Sequence, residues 1–372
     1  MSKIIIQNGN MCELDLPLKF AQKLYNEFAI RHPNAFYLRT RQRGMQNWDG
    51  KIHYITKTGQ FKIGLLPKVY DMCIEMGIKP KVVDMRQPLP KVSKVVTKIG
   101  IYKLRPEQEK AVKAVINNTI GGKPFHIGVL DYTVNAGKTL IMSSLYLTYK
   151  KQLKTLLITN DSDWLNQARE EFKQYLPGED ITFVQGKVLN WSNFTIGMVQ
   201  SISRNMRFYQ KELSQIDMVL IDEADQGGSK QYQNVITRLF NTRIRIGLSG
   251  TIYMSKLAKD RVKNMNLECF FGKVLAEFKL KDSIKKGYST KTVVKMVPGK
   301  PWYGNWESDC ISYKEIYDDS ITLNRYARKM AYARLRWNIN QGRYPALVVC
   351  KHIAHCENLY KFFKMKLGDA YN

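Results

Sequence analysis

The segment Tyr132-Thr133-Val134-Asn135-Ala136-Gly137-Lys138-Thr139 follows an apolar run and opens a helical pattern. A phosphate-binding loop needs a glycine where the chain approaches the phosphates, a lysine for their charge and a hydroxyl for Mg²⁺. Gly137, Lys138 and Thr139 supply these groups at a helix start, which also favours anions. Tyr132 replaces the first glycine of the general pattern, so a chance Gly-Lys-Thr remains the alternative when the segment is taken alone.

A second motif lies downstream, where the apolar run Val219-Leu220-Ile221 ends in Asp222-Glu223-Ala224-Asp225. Such a strand end can place Asp222 beside Mg²⁺ and Glu223 where it orients or activates the attacking water. The alternative is an ordinary acidic turn between a strand and a helix. Because the motif follows the phosphate-loop candidate within the same predicted sheet, the two together favour an ATP·Mg²⁺ site with Lys138, Asp222 and Glu223 as its catalytic residues.

The middle of the chain alternates short apolar runs with helical patterns, which predicts a parallel sheet with helical crossovers. The predicted strands cover 126–130, 155–159, 181–184, 194–199, 218–221 and 243–248. The predicted helices cover 106–117, 138–150, 162–175 and 230–240. The fold class is therefore α/β, with the phosphate-loop candidate on a parallel sheet.

The flanking parts have a different organisation. The first part predicts a small α/β domain with a strand at 4–6, helices at 17–30 and 69–76, and a hairpin from 52–54 and 61–65, followed by a linker at 84–98. Residues 252–322 predict irregular structure, and residues 323–372 predict a basic helix at 323–341, a strand at 346–350 and a helix at 355–365. We expect domains at 1–97, 98–251, 252–322 and 323–372.

The chain has 372 residues and a formal net charge of +27, and this charge is unevenly distributed. Residues 1–100 contain 17 basic and 7 acidic side chains and residues 252–300 contain 12 and 4, whereas residues 101–251 contain 19 and 14. The first and third of these parts thus supply 18 of the 27 net charges. This distribution predicts a polyanionic partner, with a generally basic surface as the alternative, and it does not separate DNA from RNA.

Neither a membrane span nor a signal peptide is indicated by the apolar runs, so we expect a cytoplasmic protein without a membrane partner, in the host cytoplasm if the protein is viral. The six cysteines are scattered, without a Cys-x-x-Cys pair, and are expected to be reduced thiols rather than disulfides or zinc ligands. Oligomeric state is open, with a monomer favoured.

Four motifs in this order resemble those of the superfamily 2 helicases and translocases, which have two RecA-like lobes. Leu104-Arg105-Pro106-Glu107-Gln108 looks like the adenine-reading Q motif, and Asp222-Glu223-Ala224-Asp225 spells a DEAD box. The resemblance implies ATP and Mg²⁺ as cofactors and a coupling role for Ser249 and Thr251. It implies nucleotide contacts from the residues Arg105, Gln108, Thr133, Val134, Asn135, Ala136, Gly137, Lys138 and Thr139, with Thr139 and Asp222 on the metal.

The same resemblance implies backbone contacts to nucleic acid from Asn160 and Gln200, which occupy the places of two further motifs. The chain departs from the family pattern at Thr133-Val134 and Asn160-Asp161, where Pro-Thr is usual, and at Gly250 within Ser249-Gly250-Thr251. These departures argue against a DEAD-box RNA helicase despite the spelling of the motif.

The first domain contains Arg39-Thr40-Arg41-Gln42-Arg43 ahead of Asn47-Trp48-Asp49-Gly50-Lys51. We expect an extended segment that places Arg39, Arg41 and Arg43 on one side as phosphate ligands, together with Lys51. Trp48 is interpreted as a packing residue in preference to a base-stacking one. With Gly64-Leu65-Leu66-Pro67, this region resembles that of the phage branch-migration helicases, and Val349-Cys350-Lys351-His352 looks like their motif IV, which adds Lys351 and His352 to the DNA contacts.

The resemblance implies an ATP-dependent helicase or translocase acting on branched or duplex DNA in recombination, replication or repair. The arginine-finger motif Gln-x-x-Gly-Arg-x-x-Arg does not follow the motif IV candidate, so we expect an incomplete second RecA-like lobe and slow ATP turnover by this chain alone. Another superfamily 2 motor, such as a restriction-type translocase or an RNA helicase, and an ATP-switched nucleic-acid-binding protein remain as alternatives.

Overall fold

The computed structural model describes residues 2–41, 44–92, 94–149, 152–186, 188–253, 260–291, 312–343 and 346–368. These residues form two compact units, Met1–Lys291 and Thr292–Asn372. The strands of the first unit are β1 (Lys3–Ile6), β2 (Met11–Asp15), β3 (Ala29–Arg31), β4 (Lys51–His53), β5 (Gln60–Lys62), β6 (Lys81–Asp84), β7 (Lys98–Ile99), β8 (Tyr102–Lys103), β9 (Thr119–Ile120), β10 (Lys123–Pro124), β11 (His126–Tyr132), β12 (Thr155–Thr159), β13 (Ile181–Gln185), β14 (Val188–Leu189), β15 (Phe194–Met198), β16 (Met218–Asp222), β17 (Ile244–Ser249) and β18 (Val274–Phe278).

Helices connect these strands and cover the sheets. In the first unit they are α1 (Leu18–Glu27), α2 (Ala35–Arg41), α3 (Leu66–Glu75), α4 (Pro106–Ile116), α5 (Lys138–Thr148), α6 (Ser162–Tyr175), α7 (Val199–Arg204), α8 (Gln210–Ser214), α9 (Lys230–Ile236), α10 (Arg261–Phe271) and α11 (Leu280–Lys285). The second unit contains α12 (Tyr313–Tyr317), a π-helical turn (Asp318–Thr322), α13 (Arg325–Asn340) and α14 (Ile353–Leu367).

An eight-stranded sheet in the order β14-β13-β15-β12-β16-β17-β11-β18 forms the centre of the first unit. Seven of its strands are parallel and β14 is antiparallel at one edge. Alternate residues of a strand enter two different hydrophobic clusters, with Leu156 and Ile158 in one and Leu157 in the other. Both faces of the sheet are therefore buried under helices, which confirms the predicted α/β fold with a parallel, RecA-like sheet.

A four-stranded sheet in the order β5-β2-β1-β6 forms the amino-terminal part of the unit. This part is packed firmly against the large sheet. Gly64 lies so close to α10 that a Cβ there would stand 2.1 Å from the Glu268 carbonyl oxygen, so only glycine fits. The Tyr54 hydroxyl donates a hydrogen bond to Asn266 Oδ1 at 3.0 Å, and Lys68 pairs with Glu268 at 2.5 Å.

A buried arginine fixes the same interface. Arg245, the second residue of β17, is 0% exposed, and burial lowers the pKa of its guanidinium. The guanidinium donates hydrogen bonds to the Gly9 carbonyl oxygen at 2.6 Å, Asn10 Oδ1 at 2.7 Å and the Phe270 carbonyl oxygen at 3.1 Å. The amino-terminal sheet is thus bound to the central sheet through a charged side chain that points across the interface.

The structure corrects several predicted elements of the first unit. The extended conformation predicted for segment 39–43 is wrong at residues 39–41, because Arg39 and Arg41 end α2 and therefore do not share one side. Arg43 lies outside the described residues. The two arms of the predicted hairpin meet only in an isolated antiparallel bridge between Ile55 and Phe61, and their longer pairings are β4 with β3 and β5 with β2. The helix predicted at 17–30 ends at Glu27, because the next residues form β3.

The segment after residue 251 is more regular than predicted. The described part from 260 to 291 contains α10, β18 and α11, and β18 extends the central sheet by pairing with β11. Gly272 and Gly287 lie just past the ends of α10 and α11 with φ of 71° and 73°. Left-handed glycines end helices without breaking a domain, so they are poor signals of a loop region.

In the second unit, the helices predicted at 323–341 and 355–365 match α13 and α14. The strand predicted at 346–350 is wrong: these residues form no strand, and the side chains of Leu347 and Val349 are 89% and 81% exposed. A β-strand needs a pairing partner, and the described part of this unit contains no other strand. A second RecA-like lobe and the boundaries at 97, 251 and 322 remain predictions.

Candidate ATP site and nucleic-acid contacts

The phosphate-loop candidate lies between β11 and α5, at the carboxyl edge of the central sheet. Its turn needs two left-handed residues, Asn135 with φ of 63° and Gly137 with φ of 72°. Gly137 is the N-cap of α5, so Lys138 and Thr139 begin the helix. Thr133 is buried and Ala136 is 1% exposed, whereas Val134 is 70% exposed at the tip of the loop. The backbone therefore has the strand, turn and helix order that cradles phosphates.

The loop is supported from below by α4. Gln108, 1% exposed, donates hydrogen bonds from Nε2 to the carbonyl oxygens of Ala136 at 2.9 Å and Gly137 at 3.4 Å. Its Oε1 accepts a hydrogen bond from the Arg105 backbone N–H at 2.8 Å. Both ends of the Gln108 amide thus bind protein backbone, so the side chain braces the loop, whereas the predicted adenine contact remains a prediction.

Three charged side chains predicted to act together lie together. Lys138 Nζ is 3.2 Å from Glu223 Oε1 and 3.5 Å from Asp222 Oδ1. Asp222 ends β16 and is 2% exposed, and burial raises the pKa of its carboxyl group while the Lys138 ammonium opposes that rise. Glu223 follows with φ of 51°, a left-handed conformation that costs about 1–3 kcal/mol in a residue of this type.

The Asp222 carboxylate has the character of a cation ligand. Its Oδ1 is buried and accepts no hydrogen bond among the described residues, but it forms an ion pair with the Lys138 ammonium 3.5 Å away. The oxygen therefore already lies beside a cation, and Mg²⁺ is commonly held by one or two carboxylates together with substrate phosphates. Thr139, in the first turn of α5, supplies the hydroxyl of the predicted pair. The donor set therefore fits a magnesium ion bound along with phosphates.

The end of β17 contacts the acidic motif. Ser249 Oγ donates a hydrogen bond to Asp225 Oδ1 at 3.0 Å and lies 3.3 Å from Thr251 Oγ1. The two predicted coupling residues thus touch each other and the last acid of the motif. Asp225 was not singled out from the sequence as a site residue, although its place three residues after Asp222 is the signal that could have identified it.

Two residues near the loop escaped the sequence analysis. Tyr288 lies under the Arg105 guanidinium, with Cζ 4.3 Å from the ring centre, and Lys286 pairs with Glu107 at 2.7 Å. Both follow α11, far from α4 in sequence, so no local pattern could have indicated them. They close the side of the site on which Arg105 lies.

The predicted nucleic-acid contacts fall into three groups. Gln200 donates a hydrogen bond to the Asn160 carbonyl oxygen at 3.2 Å, so these two residues share one edge of the central sheet. Arg39 and Lys51 line a groove of the amino-terminal part, and Arg41 lies over Tyr37 at 5.0 Å. In the second unit, Lys351 donates to the Tyr313 hydroxyl at 2.7 Å and His352 packs edge-on against Tyr317.

Trp48 is half-buried and contacts its neighbours in the amino-terminal part. Its indole Nε1 donates a hydrogen bond to the Lys51 carbonyl oxygen at 2.9 Å, and its ring meets His32 edge-on at 5.7 Å. The five cysteines in the described part of the chain are free, and Cys310 lies outside it. The helices described are all too short or too polar to cross a membrane.

The bracing role of Gln108 predicts the behaviour of a Gln108→Ala variant. We expect its affinities for ATP and GTP to fall together, by about tenfold, because removing two or three hydrogen bonds of about 0.5–1.5 kcal/mol each releases the loop that both nucleotides use. Equilibrium binding of the two nucleotides measures this effect, with Lys110→Ala, an exposed change on the same helix, as the control. A loss confined to ATP would contradict bracing and favour the adenine contact.

Comparisons with known proteins match this chain to a protein family, to a phage helicase and to solved structures. Residues 101–254 match the family described as the type III restriction enzyme, res subunit. The ATP-dependent DNA helicase uvsW of Enterobacteria phage T4 is 20% identical, and the match covers 87% of this chain and 66% of that protein, so the chain spans slightly less than two thirds of this relative's length.

Two solved structures of that relative share the fold. A crystal structure of the UvsW helicase from bacteriophage T4 matches with a TM-score of 0.58 and 19% identity, over 74% of this chain and 99% of the other. A second, described as the crystal structure of T4 UvsW, matches with a TM-score of 0.56 and 18% identity, over 98% and 73% of the two chains.

Proposed function

We propose that this chain, a homologue of the phage T4 UvsW helicase with a res-subunit helicase domain at residues 101–254, is an ATP-driven helicase or translocase that acts on branched DNA. The observation that carries the proposal is the cluster of Lys138, Asp222 and Glu223 beside a phosphate loop. The basic amino-terminal part and the nearly balanced ATP lobe support a nucleic-acid substrate, since phosphate contacts dominate nucleic-acid affinity, and the DNA helicase relative favours DNA.

The residues of the site have separate roles in this proposal. Backbone N–H groups of the loop and the start of α5 bind the β- and γ-phosphates, and Lys138 exchanges its carboxylate partners for phosphate oxygens. Thr139 and Asp222 hold Mg²⁺, which neutralises charge on the phosphates when it is bound. Glu223, with its carboxylate 43% exposed, orients the attacking water and accepts its proton.

Coupling follows from contacts at the end of β17. Ser249 hydrogen-bonds to Asp225, which lies three residues beyond Asp222. In this proposal, a shift of Asp222 when the phosphates change is passed through the short turn 222–225 to Ser249 at the end of β17. We assign Ser249 and Thr251 to this coupling. Asn160 and Gln200 on the same sheet edge contact the DNA backbone, as do Lys351 and His352 in the second unit.

Strand displacement tests the proposal. Full chain, ATP and Mg²⁺ are incubated with a forked duplex, a four-way junction, a linear duplex and an RNA duplex of matched length. We expect ATP-dependent conversion of the fork and the junction ahead of the linear duplex, with weak activity on RNA. A preference for the RNA duplex would favour an RNA helicase. Translocation on the linear duplex without separation of its strands would favour a restriction-type translocase. ATP-dependent binding without strand displacement would favour an ATP-switched binding protein.

We also propose a host-cytoplasm setting, as for a phage helicase.

A further inference from the structure

A groove of about 500 Å³ lies between α2 and the turn that enters β4 in the amino-terminal part. One wall of the groove comes from α2 and the other from the turn. Arg31 of β3 and Gln46 complete the lining. The groove is separate from the ATP site, which is built on the central sheet. The walls consist of Phe36, Arg39, Thr40, Asp49, Gly50 and Lys51.

The wall on α2 combines an aromatic ring with a cation. Phe36, Arg39 and Thr40 are three and four positions apart, so they share one helix face. The Phe36 side chain is 80% exposed, and its ring contacts no other ring or cation among the described residues. Its neighbour Tyr37 differs, since the Arg41 guanidinium already lies over that ring. Phe36 therefore presents a free aromatic face beside the groove.

The charge in the groove favours an anion. Arg31, Arg39 and Lys51 are exposed, and none of them forms an ion pair with a carboxylate in the described part of the chain. The one acid of the groove, Asp49, is bound by His53 Nε2 at 2.7 Å and by the Lys51 backbone N–H at 2.9 Å. These hydrogen bonds lower the pKa of Asp49 and satisfy its charge locally.

We propose that this groove holds an unpaired segment of the DNA substrate, with Phe36 stacked on one base and Arg31, Arg39 and Lys51 on the flanking phosphates. A base offers its flat face to a side chain only when it has left the duplex stack, and stacking on aromatic rings beside cations is the general mode of single-strand binding. The inference rests on the proposed function, because it names the part of a branched DNA that the amino-terminal part grips.

Equilibrium binding of the full chain to labelled oligo(dT) and to a blunt duplex tests the groove. We expect Phe36→Ala to weaken single-strand affinity about fivefold or more, the range for one lost base stack, and to leave duplex affinity within about twofold. Phe36→Trp should keep the single-strand affinity, because it keeps the stacking face. The control is Phe208→Ala, which removes a phenyl ring of similar exposure, 79%, outside the groove.

A second measurement reports stacking directly. An oligonucleotide with 2-aminopurine in place of one adenine loses fluorescence when that base stacks, so wild type should quench it and Phe36→Ala should quench it less. Arg39→Ala should reduce the salt dependence of single-strand binding by about 0.7 of a log–log unit, the share of one phosphate contact. Lys23→Ala, an exposed change on α1, should leave that slope unchanged.

The outcomes separate this inference from the proposed function. Two results with Phe36→Ala would overturn single-strand binding in the groove without affecting the proposed function, provided that the wild type binds DNA. One is an equal loss of single-strand and duplex affinity. The other is no loss of either affinity together with unchanged 2-aminopurine quenching. Wild type that bound neither DNA would overturn both. A selective loss reproduced in the quenching assay supports the unpaired strand as the occupant.

Discussion

A Glu223→Gln variant is expected to bind ATP within about twofold of wild type and to hydrolyse it about 10²–10⁴ times more slowly, the usual contribution of a positioned general base. Glutamine keeps the shape of the side chain but cannot accept the proton of the attacking water. The left-handed backbone at Glu223 is also preserved, since the change alters one terminal atom. Equilibrium nucleotide binding and single-turnover ATP hydrolysis, measured on the full chain, give the two quantities.

Lys138→Ala is the matched variant for this experiment. It should lose nucleotide affinity, because Lys138 supplies the cation for the phosphates. In the structure the Lys138 ammonium also pairs with the carboxylates of Glu223 and Asp222. The pair of variants therefore separates binding from hydrolysis. Intact turnover in Glu223→Gln, with Lys138→Ala impaired, would refute the catalytic role of Glu223 and leave the phosphate site standing.

Arg245→Ala should lower the free energy of unfolding by about 3–5 kcal/mol, because hydrogen bonds to a charged group contribute about 1.5–3 kcal/mol each and the truncation leaves a cavity. Three carbonyl or amide oxygens, from Gly9, Asn10 and Phe270, would lose their donor. Urea unfolding gives the change in free energy. Limited proteolysis should show faster cleavage in segment 85–97, since the interface beside it is weakened.

Two further variants serve as controls for Arg245→Ala. Arg238→Ala removes an exposed arginine from the same region and should leave both readouts unchanged. Arg245→Met keeps much of the volume, so a loss that persists in this variant belongs to the hydrogen bonds. Unchanged unfolding and unchanged cleavage in Arg245→Ala would mean that the other contacts hold the interface without Arg245.

The nucleotide site was predictable because its residues are local in sequence. Gly137, Lys138 and Thr139 are consecutive, and Asp222 and Glu223 end one apolar run, so strand-to-helix rules place each group at the sheet edge. The predicted strand at 155–159 and helix at 162–175 match β12 and α6 residue for residue for the same reason. Their hydrophobic periodicity is long and uninterrupted.

The rest depended on contacts between distant segments. Tyr288 reaches Arg105, and Arg245 reaches Gly9, only after the chain has folded, and an arginine within an apolar strand gives no sign of its partner. The helix at Ala35–Arg41 was missed because alternating arginines resemble a strand pattern, although Phe36 and Thr40 share a helical spacing. At 346–350, composition alone predicted a strand, whereas pairing decides whether one forms.

β17 has a mechanical consequence for a motor of the proposed kind. Arg245 anchors the amino-terminal part near the start of this strand, and Ser249 meets the candidate ATP site at its end, about 13 Å further along at 3.3 Å per residue. The groove beside Phe36 and the candidate ATP site thus belong to one compact unit. In the proposed motor, a movement that starts at the phosphates would therefore be passed to the unpaired strand through packing within this unit.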